Sequence, residues 1–186
     1  MTIANIQKIK MTAEQYFQLG EDPPGVRLEL IDGEIIVSPS PSRKHAKIIR
    51  ALNYLLETHL RQYDLGELYL DTDVIFAPDL VRRPDFSFFS TSLLSTLSND
   101  YLDAPPDLCI EILSPGSGKD DRVNKFNLYE SSGVNHYWII DPATRTAECF
   151  ALKGATYELI NTGTATQTVT FAPFNTLQMP LADLWN

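Results

Sequence analysis

One carboxylate stands where the chain is otherwise apolar: Glu111, in the run LCIEIL at 108–113. Burying an ionised carboxyl is costly unless it is neutralised, hydrogen-bonded or bound to a cation. Asp85 opens a second apolar run, DFSFF, directly after Pro84. If the two runs are neighbouring strands, two carboxylates converge and repel, and a divalent metal removes the conflict. Oxygen ligands in that arrangement suit Mg²⁺ or Mn²⁺ rather than zinc. Glu29 and Glu34, on either side of Asp32-Gly33, each offer a third acid. His45 precedes a run of helical spacing, and Lys125 has Asp121 and Tyr129 as its i−4 and i+4 neighbours. A lysine reaching from there over the end of a sheet could orient an attacking water or offset charge on a phosphate. Each residue also has a plainer reading. Asp85 could be a strand-entry turn residue, Glu111 the partner of an arginine, Glu29 and Glu34 solvent-facing hairpin residues, His45 a semi-buried histidine, and Lys125 half of a surface pair with Asp121.

The elements that must position these groups follow from periodicity. Residues 1–10 read as a loose tail or arm. Thr12 and Gln15 form a capping box for a short helix through about Leu19, which EDPPG at 21–25 breaks. VRLELI and EIIVS around Asp32-Gly33 predict a hairpin in which Ile31 pairs with Glu34, so that Glu29 and Glu34 share a face. From Ser42 to about Tyr63 the pattern is helical. Ile49, Leu52, Leu56, Leu60 and Tyr63 form one stripe, with His45 on it. Strands are expected at 68–76, 84–89, 107–113 and 136–141, with a polar loop and a short helix over 90–106. A helix is expected from about Asp120 to Ser132, ending at Gly133. TAECFAL, TYELINT and TQTVTFA read as a C-terminal β-meander. The order predicts an α/β (α+β mixed) sheet in a single domain, residues 1–186.

Composition sets the outer limits. The chain has 186 residues, 44% hydrophobic and 21% charged, which excludes a disordered or collagen-like chain. Lys and Arg number 15 against 24 Asp and Glu, a net charge of −9, so bulk charge does not attract nucleic acid. Nine of the cations nevertheless cluster near the candidate acids: Arg43, Lys44, Lys47, Arg50, Arg82, Arg83, Lys119, Arg122 and Lys125. Such a local cleft suits a phosphate-bearing substrate. Cys109 and Cys149 lack partners at metal-ligand spacing and read as buried thiols of a cytoplasmic protein. No stretch suits a signal peptide or a membrane span, so no membrane partner is expected. Phosphate-loop, GxGxxG, HExxH and GxSxG motifs are absent.

The ordered set RLELIDGEIIVSPSPSRKH, RRPDFSFF and PDLCIEILSPGSGKDDRVNKFNLYESSGVNHYWIIDP resembles the Uma-type restriction endonuclease family of the PD-(D/E)xK nuclease superfamily. The resemblance spans about residues 12–142 and most of the remainder. It implies a restriction-endonuclease-like mixed sheet flanked by helices, with metal-binding acids on central strands. Asp85 matches the first sheet acid, Glu111 the second, Glu29 an additional N-terminal acid, and His45 a histidine typical of the family. The superfamily lysine would stand two residues after Glu111, where this chain has Leu113. The family is similar in having moved that lysine to the next helix, at Lys125. The expected function is Mg²⁺- or Mn²⁺-dependent DNA cleavage with Asp85, Glu111 and Glu29 as metal ligands, in a possible homodimer. The alternative is a nuclease-like binding or assembly module without catalysis. A carboxylate-pair glycosidase explains neither the basic clusters nor Lys125.

Overall fold

In the N-terminal third, capping and alternation act as expected. The computed structural model describes residues 10–98, 101–114, 118 and 120–185. Residues 1–9 of the expected arm at 1–10, and Lys119, lie outside the described residues. Thr12 and Gln15 close a capping box on α1 (Ala13–Phe17). β1 (Val26–Ile31) and β2 (Glu34–Pro39) pair around Asp32-Gly33 in the expected register, Ile31 opposite Glu34 and Glu29 opposite Ile36. Asp32 and Gly33 both have positive φ, 50° and 74°, as this turn requires. The Ser42 hydroxyl caps α2 (Arg43–Tyr63) by accepting from the His45 N–H.

The helix stripe is rotated from its expected position. His45, Ile48, Leu52, Leu56, His59 and Leu60 are buried, whereas Ile49 is half-buried and Tyr63 exposed. A second correction concerns 68–76, which is two strands. β3 (Gly66–Leu70) and β4 (Val74–Ala77) are separated at Asp71, whose φ of 50° turns the chain out of one sheet into another. β4 joins β5 (Leu80–Arg82), giving a four-stranded sheet ordered β2-β1-β5-β4.

β6 (Phe86–Ser90) runs into the short helix α3 (Thr91–Leu94), and the remaining strands are β7 (Leu108–Ile112), β8 (His136–Asp141), β9 (Thr146–Lys153) and β10 (Thr156–Thr164). With β3 they form a six-stranded sheet, β10-β9-β8-β7-β6-β3, in which only β7 and β8 run parallel. The crossover between those two passes through a π-helical turn, Asp120–Lys125, that runs into α4 (Phe126–Ser131). The third strand of the meander is a correction too. β11 (Thr168–Val169) leaves β10 and pairs with β12 (Met179–Pro180), ahead of the last helix at Ala182–Trp185.

Side-chain alternation along β7 decides which core each residue enters. Leu108, Ile110 and Ile112 pack with Phe86, Phe88, Trp138 and the buried face of α2. Cys109 faces the other way, with Tyr129, Val134, Tyr137 and Ile139. Glu111 shares that second face, so α4 and the π-helical turn are its neighbours. β3 is held to β6 by a close backbone approach at Gly66 (φ 141°), where a Cβ would stand 2.1 Å from the Phe89 carbonyl oxygen. Gly66→Ala is expected to lower unfolding free energy by about 3 kcal/mol, as read by urea denaturation; a variant as stable as wild type would contradict this packing.

Candidate functional site

β6 and β7 bring the two sheet acids together. Phe86 pairs with Ile110 and Ser87 with Cys109; Asp85 immediately precedes β6, and its side chain accepts from the Ile112 N–H, the residue after Glu111 on β7. Both side chains are buried, Asp85 at 4% exposure and Glu111 at 2%.

Each carboxylate has a dedicated set of partners. Asp85 Oδ2 accepts from the Ile112 N–H at 2.8 Å and from His45 Nε2 at 2.9 Å. Its Oδ1 lies 3.6 Å from an Arg27 guanidinium nitrogen. Glu111 Oε1 accepts from the Tyr129 hydroxyl at 2.8 Å, and Oε2 is 2.8 Å from Lys125 Nζ. Lys125 is also 3.0 Å from Asp121 Oδ1. The lysine therefore reaches Glu111 from the helical segment. The strand position two residues beyond Glu111 carries Leu113, which packs with the α4-side core.

Glu29 approaches the same centre from β1. Its Oε1 accepts the Arg83 N–H at 2.9 Å and lies 3.2 Å from Arg82 Nε, while Arg82 also pairs with Asp120. Glu34 is exposed at the hairpin end, so Glu29 is the acid that the hairpin delivers inward. Among the described residues no three His, Cys, Asp or Glu side chains are grouped so as to hold a metal ion by themselves. In this arrangement Glu29 reaches the centre through arginine partners, beside the buried pair Asp85 and Glu111. Arg82 engages Glu29 and Lys125 engages Glu111, so protein cations already offset much of the repulsion.

The local field follows from burial and these partners. Burial pushes the Glu111 carboxyl up to about 8; Lys125 opposes that rise, and Asp121 and Asp85 add to it. Burial raises Asp85 as well, but the His45 hydrogen bond and charge, Lys125 and the Ile112 N–H bring its net pKa below the ordinary carboxylate value. Burial alone would strip a proton from Lys125, yet Glu111, Asp121 and Glu29 outweigh it and hold the ammonium charged. One carboxyl is therefore kept ionised and its neighbour made easy to protonate, a separation found at sites that handle charge. A carboxyl whose folded pKa is raised stabilises the fold below its unfolded pKa and loses that contribution as pH rises through the folded value. Wild type is therefore expected to lose stability relative to Glu111→Gln as pH rises from about 4.5 toward 8. Paired urea titrations measure this, and an opposite slope would refute the assignment.

These residues fit Mg²⁺ or Mn²⁺ through two carboxylates. Magnesium binds through one or two carboxylates and keeps several waters or substrate oxygens, which is the donor set that Asp85 and Glu111 present.

Asp121 and Tyr129 lie next to Lys125 in sequence, but their service to Glu111 depends on how the π-helical turn seats that segment under β7. Arg27 was missed. Its signal was alternation, since Arg27 and Glu29 are two apart on β1 and share a face. The expected basic cluster divides. Arg83 pairs with Asp22 and Asp73, and Arg122 with Glu148. Arg43, Lys44 and Lys47 line a separate cavity.

A crystal structure described as "a putative nuclease belonging to DUF820 from Anabaena variabilis ATCC 29413" has this fold. It aligns with a TM-score of 0.77 at 24% identity, covering 94% of this chain and 97% of that one. No protein with a curated description matches the chain. Among the described residues no helix is long and apolar enough to cross a membrane. The family described as "Uma2: Putative restriction endonuclease" matches residues 13–182, a span that contains the buried acids, His45 and Lys125, and the chain belongs to that family.

Proposed function

We propose that this protein is a divalent-metal-dependent endonuclease that hydrolyses DNA phosphodiester bonds. The observation that carries the reading is the pair of buried acids at the end of β6 and β7, Asp85 held on the Ile112 N–H and Glu111 2.8 Å from Lys125 Nζ. Mg²⁺ or Mn²⁺ bound to Asp85 and Glu111 would lower the pKa of a bound water and polarise the scissile phosphate. His45 and the Ile112 N–H hold Asp85 ionised and fix its orientation. Tyr129, kept a phenol by burial beside Glu111, pins the other carboxylate. Lys125 replaces the strand lysine absent at Leu113 and presents a held positive charge to an attacking water or to phosphate oxygens. Glu29 acts one step back, anchoring Arg82 at the same end of the site. Cutting both strands of a duplex would take two such centres, which a two-fold dimer supplies.

The test is incubation of supercoiled plasmid and single-stranded DNA with the protein in Mg²⁺, in Mn²⁺ and in EDTA. Metal-supported nicking that EDTA abolishes is expected. Equal cleavage in EDTA would overturn the metal role, and intact substrates throughout would overturn the nuclease reading. A second reading, a nuclease-like module without catalysis, is favoured by the lysine already seated on Glu111. Calorimetric titration with Mn²⁺ separates the two, because the module binds none.

A further inference from the structure

The cations left over from the acid centre gather at one place. Arg43, Lys44, Lys47 and Arg145 line a cavity of about 300 Å³ with Pro142 and Trp185 on its wall. Near the acid centre, Arg27, Arg82, Arg83, Arg122 and Lys125 are all ion-paired to carboxylates. The four cavity cations have no carboxylate partner among the described residues; Lys44 donates to the Pro142 carbonyl oxygen at 3.2 Å, leaving two of its three donors free.

Two features of the backbone make this grouping costly for the fold alone. Three of the cations occupy the first five positions of α2, whose first turn carries no acid. The helix dipole disfavours positive charge there, and Arg43 and Lys47 repel each other at i,i+4. The fourth, Arg145, sits in the β8–β9 turn with φ 55°, a left-handed conformation that Gly or Asn adopts more readily. A bound anion would offset the helix-end charge and the cation repulsion at once.

Position and wall chemistry narrow the anion. Pro142 follows β8 at the end of the sheet reached by Glu111 and Ile112, since Ile112 pairs with Ile140. His45, in the same helical turn as these lysines, is the residue that contacts Asp85. The cavity thus lies beside the acid centre, on the α2 side of the sheet. Its wall includes the Trp185 ring, held in place by donation from Nε1 to the Ala165 carbonyl oxygen at 2.8 Å. Aromatic surface beside converging cations suits a phosphate with its attached sugar and base.

We propose that Arg43, Lys44, Lys47 and Arg145 form a phosphate subsite that grips the nucleic-acid backbone beside the cleavage centre, without metal. The inference rests on the nuclease reading for its ligand, but it is tested by binding alone. The probe is a fluorescein-labelled single-stranded oligodeoxynucleotide, titrated by anisotropy in EDTA over a range of salt. The variant is Lys47→Ala/Arg145→Gly; both side chains are exposed, and glycine suits the left-handed φ at 145. At low salt its affinity is expected to fall about tenfold, and its slope of log affinity against log salt to shallow by about two. Its thermal midpoint should match wild type, and Arg61→Ala, at the far end of α2, should bind like wild type. Unchanged affinity and slope in the double variant would overturn the subsite. So would inorganic phosphate or deoxynucleoside monophosphate quenching Trp185 fluorescence while oligonucleotide affinity stays unchanged in the variant, which would mark a small-anion pocket. If no DNA is cleaved but the variant loses oligonucleotide binding, the subsite stands and the nuclease reading fails.

Discussion

Asp85→Asn is expected to reduce metal-supported DNA cleavage by about a thousandfold or more, and Glu111→Gln to do the same. Asparagine keeps the size of Asp85 and an oxygen able to accept the Ile112 N–H, but it removes the charge that His45 and Lys125 stabilise. Glutamine similarly keeps an oxygen for the Tyr129 hydroxyl while removing the anionic oxygen that faces Lys125. Because both substitutions preserve shape, loss of rate can be separated from loss of fold by circular dichroism on the same samples. Initial rates of plasmid nicking in Mn²⁺ give the answer, and either variant retaining more than about a tenth of wild-type rate would remove that carboxylate from the mechanism.

Lys125→Met is expected to be the most destabilising substitution at the site. Lys125 is 8% exposed and lies between Glu111 and Asp121. Removing one partner of a buried ion pair costs about 3–5 kcal/mol, because the remaining charge is left uncompensated. The cost should depend on pH. Without the ammonium, the Glu111 carboxyl rises further above its ordinary value, so the folded state accepts a proton more readily than the unfolded chain. Stability of the variant is then retained at low pH and lost as pH rises, making the gap from wild type wider at pH 8 than at pH 5. Adding Glu111→Gln should recover part of the loss at pH 8, since no buried charge at 111 is then orphaned. Urea unfolding of wild type, both single variants and the double variant at the two pH values measures the coupling. A Lys125→Met protein as stable as wild type at pH 8 would show that the lysine does not neutralise the buried acids. Cleavage by that variant, assayed at a temperature where it stays folded, is expected to fall by about 10²–10³.

Local signals in the chain were reliable where a single short-range interaction sets the conformation. The Thr12–Gln15 box, the Asp32-Gly33 hairpin register and the Ser42 cap each depend on residues no more than a few positions apart. They were less reliable where the outcome depends on distant packing. Asp71 breaks an apparently continuous strand because the two halves bury against different sheets. Ile48 replaces Ile49 in the core because contact with β6, β7 and β8, not helix periodicity alone, sets the rotation of α2.

The same division holds at the site. A lone carboxylate in an apolar strand was sufficient, from residue type and the cost of burying charge, to mark Glu111, and Asp85 followed from its place before a second apolar run. What neutralises them could not be read along the chain. Lys125 and Arg82 compensate Glu111 and Glu29, and those pairs join residues 14 and 53 positions apart. Ion pairing acts through space over a few ångströms, so it is settled by β6–β7 register, the hairpin's approach and the seating of the π-helical turn. Residue chemistry alone determined that buried negative charge required a cation; the tertiary structure decided that the protein supplies part of that charge itself.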